Sequence, residues 1–244
     1  MLLDEWLGGK LSLYDKGSLF RCTGSCPRHG CCGELVVTTS VLEGYVIARQ
    51  LGRPAPEVFE RYFELAPHFD DGLGAARVRF VLKKPCLFLD NAGWCSMYGK
   101  RPAACALFPE HVSISGQGEV YRTFPCVEEA PDVPEARKLA LKSLTALQHA
   151  EIYAGEIFLF GFAGFAVDLT HEAACVGQKK GRDVLPFSLQ QDVLTRTLEA
   201  NGTLDAIREK IASLDTPTGL ENLLASIGIA EALTCRTDSS LRGG

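Results

Sequence analysis

The chain has 244 residues, 46% of them hydrophobic and 23% charged, with a formal net charge of −5 and ten cysteines. A chain of this length buries roughly 70–75% of the surface its unfolded form exposes, so it needs no cross-links to hold a core and the cysteines call for another explanation. Residues 1–130 carry 14 basic and 15 acidic side chains and residues 131–244 carry 11 and 15, so neither half has the basic excess of a nucleic-acid-binding domain.

At the start, Met1-Leu2-Leu3-Asp4-Glu5 sets two acids where a secretory signal carries basic residues, and no apolar core follows, so a cytoplasmic setting is expected. Val36-Val37-Thr38 reads as extended. Thr39 or Ser40 is placed to cap a helix from Val41 to Leu51, which Gly52 and Pro54 stop. Pro56 suits the first turn of a second helix, through about Ala66, with Val58, Phe59, Tyr62, Phe63 and Leu65 as its apolar face. From Arg77 to Phe124 the pattern changes to short strand-like pieces: Val78-Arg79-Phe80-Val81, Leu87-Phe88-Leu89, and a hairpin of Val112-Ser113-Ile114 with Val120-Tyr121-Arg122 about Gly116-Gln117-Gly118.

The acidic, two-proline stretch Glu128 to Glu135 reads as a linker, which sets a boundary near residue 131. Beyond it the pattern is helical, with apolar residues at three- and four-residue spacing over Ala136–Tyr153, Leu189–Ala200, Leu204–Leu214 and Leu220–Leu233, broken at Asn201-Gly202 and Pro217. The tail Arg236–Gly244 reads as frayed. The longest apolar run, Ile157 to Val167, has eleven residues; it is too short to cross a bilayer and reads as a buried helix or strand.

Eight cysteines, Cys22, Cys26, Cys31, Cys32, Cys86, Cys95, Cys105 and Cys126, fall within 105 residues, and the last 118 residues hold only Cys175 and Cys235. The eight sit beside Gly, Pro, Ser, Asp and Asn, which let the backbone fold tightly around a point, as thiolates converging on one ion require. Free cysteines packed as small hydrophobes belong on periodic apolar faces, a description that suits Cys175 and Cys235. In a reducing compartment such a pattern points to metal binding rather than disulfides. Four thiolates around a divalent ion leave a charge near −2, and Arg21, Arg28, Lys83, Lys84, Lys100, Arg101 and Arg122 lie within a few residues of a cysteine to offset it.

The order Cys-x3-Cys-x4-Cys-Cys, then Cys86-x-Phe-Leu-Asp, then Cys95-x-x-Tyr-x-x-Arg-Pro-x-x-Cys105-x-x-Phe-Pro, resembles the YkgJ-type cysteine cluster family, described as zinc- or iron-chelating. The likeness covers about Cys22 to Cys126 and joins the cysteines to Tyr98, Arg101, Pro102 and Pro109. It implies a metal site on the cysteines. The more distant likeness to flagellin lysine N-methylases implies that some relatives modify lysine side chains.

The spacing leaves the metal open. It matches neither the bacterial nor the plant-type ferredoxin run, and Cys22 with Cys26 would pass for half a zinc ribbon. Phe88, Trp94, Phe108 and Phe124 flank the cysteines and would exclude water from an iron–sulfur cluster. An iron–sulfur cluster or iron is therefore the expected cofactor, with zinc as the alternative.

Other features read as structural. His29 is a turn residue, and His171-Glu172 with Cys175 reads as a polar helix face over a buried thiol. Phe160-Gly161-Phe162-Ala163-Gly164-Phe165 before Asp168 lacks the third glycine of a nucleotide loop and reads as close packing. Asp70-Asp71 and Asp90-Asn91 read as turns.

The expected fold is α+β: an irregular cysteine-rich metal-binding domain with short strands over residues 1–130 and a helical region over 131–244. The expected partners are a metal ion and, for the enzyme reading, a protein substrate, with neither nucleic acid nor membrane. Three functions compete: a metal-holding module, an iron–sulfur-dependent protein-modifying enzyme resembling the lysine N-methylases, and a small redox carrier.

Overall fold

The structure, a computed structural model, describes residues 3–14, 16, 18, 32–33, 35–69, 75–112, 118–120, 127–128, 131–169 and 186–240. Among these the fold is α+β, with helices dominating the C-terminal part as expected. The chain forms two compact units: one of residues 1–39, 82–152 and 231–244, the other of 40–81 and 153–230.

In the second unit, α2 (Val41–Leu51) has the bounds its local chemistry dictates. Ser40 is the cap: its Oγ accepts from the Glu43 amide at 3.0 Å, and its own amide donates to Glu43 Oε2 at 3.1 Å, a reciprocal capping box. Gly52 ends the helix at φ 62°, where a side chain would be strained. Gly44 is set by packing. A Cβ there would come within 2.3 Å of the Phe59 ring, which lies edge-on to Phe80 at 5.0 Å in the core.

Helix α3 is Ala55–Tyr62, shorter than the periodicity predicts, because Phe63 to Phe69 forms strand β2. Phe63 and Ala66 are buried there, as sheet residues rather than as a helical face. The first amide of α3 donates to both carboxylate oxygens of Asp215, at 3.0 and 3.1 Å, a negative charge at the positive end of the helix. Strand β3 (Ala75–Leu82) neighbours β2 and pairs antiparallel with β6 (Ala166–Asp168), Arg77 facing Ala166. Helices α6 (Phe187–Ala200) and α7 (Thr203–Ser213) complete this unit with the first part of α8 (Pro217–Ser240), and Gly202 turns between α6 and α7 at φ 73°. The tail expected to fray from Arg236 is helical as far as Ser240, and residues 241–244 lie outside the described residues.

In the first unit, α1 (Leu3–Tyr14) leads toward the first cysteines, and α4 (Ala103–Leu107) carries Cys105. Strand β1 (Thr38–Thr39) sits where an extended piece was expected. The hairpin is present as β4 (Glu110–Val112) antiparallel to β5 (Gly118–Val120), two residues N-terminal to the predicted strands. Helix α5 (Glu135–Phe160) is longer than predicted, so the apolar run Ile157–Val167 is divided between its last turn, a bend and β6.

Three ionic side chains are buried along α5. Glu151 accepts from Trp6 Nε1 at 2.7 Å and Lys10 Nζ at 2.6 Å, both on α1. Arg137, with no exposed surface, donates to Glu110 Oε2 at 2.8 Å and to the Leu13 and Lys16 carbonyls at 2.8 and 3.0 Å. In the other unit Glu156 pairs with Arg79 and accepts from the Gly164 amide at 2.5 Å. Leu107, Val133, Leu141 and Leu144 form the apolar core around the Arg137 end of the helix. Arg137→Met should lower the unfolding free energy by about 3–5 kcal/mol, since it leaves the Glu110 carboxylate buried without its partner. Arg53→Met, which breaks an exposed pair with Glu57, should cost under about 1 kcal/mol; urea unfolding of the two variants checks the contrast.

Candidate metal centre

Of the eight predicted ligands, the described residues include Cys32, Cys86, Cys95 and Cys105; Cys22, Cys26, Cys31 and Cys126 lie outside them, as do His29, Arg21, Arg28, Arg122, Asp70, Asp71, His171, Glu172 and Cys175. The four described cysteines are all half-buried and belong to the first unit.

Cys86 and Cys95 stand at turns, and Cys105 stands on α4. After Cys86 the chain reverses through Asp90, whose Oδ1 accepts from the Ala92 and Trp94 amides at 2.9 and 2.8 Å, the turn role its sequence predicts. The return leg bridges Leu89 to Cys95, and the Ser96 amide and hydroxyl both donate to the Phe88 carbonyl. Leu87-Phe88-Leu89 is thus a turn closed by one bridge, not the predicted strand, because its backbone groups go to the cysteine turn. A 3-10 turn, Tyr98–Lys100, then leads to Pro102 and α4, which presents Cys105.

Cys32 comes from a stretch 54 residues before Cys86 and is fixed to it by backbone: the Cys86 amide donates to the Cys32 carbonyl at 3.2 Å, and Lys84 Nζ donates to the same oxygen at 3.0 Å.

Cys32, Cys86, Cys95 and Cys105 lie near enough to act on one another's charge. Burial pushes the Cys105 thiol up to about 12, and negative charge on Cys86, Cys32 or Cys95 pushes it in the same direction, while Lys84 acts against them. Burial likewise raises Cys86, opposed by a hydrogen bond from the Phe88 amide to its sulfur and by Lys84. Cys95 is raised by burial and by Cys86 and Cys32, against a hydrogen bond from the Met97 amide and the charge of Arg101. Amide groups two residues on thus point at the Cys86 and Cys95 sulfurs, an arrangement that stabilises thiolates bound to a metal. Arg101 lies over the Tyr98 ring, 4.1 Å from its centroid.

This donor set fits a soft or borderline metal: thiolates select zinc, iron and iron–sulfur clusters. Among the described residues no group of three or more His, Cys, Asp or Glu side chains is arranged to hold a metal ion, and Cys22, Cys26, Cys31 and Cys126 lie outside them. Of the flanking aromatics, Phe88 is buried, Phe108 is half-buried and Trp94 is 49% exposed, while Phe124 lies outside the described residues. Sequence reasoning missed the buried anchors Glu110, Arg137 and Glu151, which carry no periodic signal because each answers a distant partner.

Residues 21–135 match the model of the CxxCxxCC family, "Putative zinc- or iron-chelating domain", and that segment carries all eight clustered cysteines. The YkgJ-type resemblance agrees with this match. No curated protein matches the chain, and no solved structure does. Among the described residues no helix is long and apolar enough to cross a membrane.

A thiol is mostly protonated at neutral pH and burial raises Cys86, Cys95 and Cys105 further, so each that becomes a ligand must give up its proton to the solvent. Zinc uptake near pH 7 should release about one proton per ligating thiol, and affinity should rise about tenfold per pH unit for every proton released. Titration calorimetry in buffers of differing ionisation enthalpy measures that number; uptake without proton release would mean the thiols are not the ligands.

Proposed function

We propose that this protein holds zinc or iron, in the favoured form as an iron–sulfur cluster, through the cluster Cys22, Cys26, Cys31, Cys32, Cys86, Cys95, Cys105 and Cys126. Cys32, Cys86, Cys95 and Cys105 belong to one centre in this reading. The observation that supports it is the backbone link between two distant stretches of chain, the Cys86 amide on the Cys32 carbonyl at 3.2 Å, beside half-buried Cys95 and Cys105, with backbone amides directed at the Cys86 and Cys95 sulfurs. Cys86, Cys95 and Cys105 stand as thiols without disulfide partners, which supports a reducing compartment such as the cytoplasm. The metal-binding domain extends over about residues 1–130 and the helical region over 131–244. The metal is the partner the site is built for, and the even charge distribution gives no support to a nucleic acid.

Anaerobic purification with metal and sulfide analysis tests the reading. Iron with sulfide and a brown colour selects the cluster; a colourless zinc protein selects the single-ion form; a protein without either metal removes the function. Cys32→Ser and Cys86→Ser should each lower metal content severalfold, whereas Cys175→Ser and Cys235→Ser should leave it at the parental level. Equal losses from all four would show that the division between clustered and packing cysteines is wrong.

A further inference from the structure

We propose that Lys84 is a positioning residue of the metal centre: its ammonium locks the Cys32 backbone to the start of the Cys86–Cys105 stretch and offsets part of the negative charge that thiolate ligands bring. This rests on the reading that those four cysteines form one centre.

The geometry is specific to this lysine. The Cys32 carbonyl has two acceptor positions, and both are taken from the same short stretch, one by the Cys86 amide at 3.2 Å and one by Lys84 Nζ at 3.0 Å. The lysine bond is charge-assisted and therefore the stronger of the two. It bridges 52 residues of sequence, so it joins the two stretches that must meet before any ion can take ligands from both. Lys84 is half-buried, which screens its charge less than water screens an exposed lysine. Its charge also acts on Cys86 and Cys105. A half-buried ammonium spent on a backbone carbonyl beside thiols has a purpose if those thiols become thiolates.

Three substitutions separate charge from hydrogen bonding: Lys84→Arg keeps both, Lys84→Gln keeps a donor without the charge, and Lys84→Met removes both. Zn2+ and Co2+ affinities of the full-length, metal-stripped protein are measured near neutral pH by competition with a chromophoric chelator. Lys84→Gln and Lys84→Met should each bind about 10- to 100-fold more weakly, the usual effect of losing a partner of a ligand, and Lys84→Arg should stay within roughly threefold of the parent. Added salt should narrow the gap between the parent and Lys84→Gln, a response that a purely structural role would not give. Parental affinity in Lys84→Met would overturn the proposal, and parental affinity in Lys84→Gln beside weak binding in Lys84→Met would overturn the role of the charge. If Lys84→Met does not fold, the Lys84→Gln and Lys84→Arg comparison decides. A parent that binds neither ion overturns the metal reading itself, and the role of Lys84 with it.

Discussion

Gathering several thiols into one half-buried place is the constraint around which the first unit is arranged. As thiolates they would repel one another and lose hydration, and burial is the main reason that Cys86, Cys95 and Cys105 hold their protons. The chain goes part of the way toward relieving this, with Lys84 and Arg101 nearby and amides from Phe88 and Met97 on two sulfurs. A bound cation would complete the compensation, because one divalent charge replaces several protons and takes the sulfurs as ligands. If these thiols are ligands, the scaffold must hold them together in the protonated state as well as in the metal-bound one.

That scaffold is polar where an apolar one would be expected. Trp6 and Lys10 lie one helical turn apart on α1 and both donate to Glu151, which fixes the rotation of α1 about its own axis. Arg137 then holds the carbonyls at the end of α1 and, through Glu110, the strand that begins three residues after α4. Buried ion pairs add little net stability, because desolvation offsets their attraction. Their value here is directional. A leucine in place of Arg137 would fill space, but it would not tie the chain leading toward Cys22 to the chain leaving Cys105.

What the sequence discloses follows from how local the determining chemistry is. Helix α2 was legible to the residue because Ser40, Glu43 and Gly52 decide it within one turn of either end. The second helix was overrun by four residues because Phe63 and Ala66 also satisfy helical spacing, and only the pairing of β2 with β3, a distant matter, assigns them to a sheet. Helix α5 was cut short for the converse reason: Glu156 interrupts the apolar pattern, and nothing nearby reveals that Arg79 neutralises it. The glycines of the Phe160–Phe165 segment show the same division. Gly161 and Gly164 adopt φ of 83° and 86°, and the Gly164 amide caps Glu156, so a segment with a nucleotide-loop look is a turn serving a buried carboxylate.

The cysteine-rich stretch stands out in the sequence where its scaffold does not, and the reason lies in how local its turn chemistry is. Cys86 and Cys95 owe their orientation to turns of a few residues, built from Asp90, Gly93, Ser96 and the amides that follow each cysteine. Turn chemistry is written in composition, so Gly, Asp, Asn and Pro around a cysteine mark it even when no partner is visible. Turns fix the direction of a sulfur more tightly than its distance from sulfurs on other turns, and that distance depends on the long-range anchors. Those long-range anchors are the part of the structure that sequence conceals: Lys84 on the Cys32 carbonyl, and Arg137 between α1 and β4. With only thiolate donors, zinc and iron compete on nearly equal chemical terms.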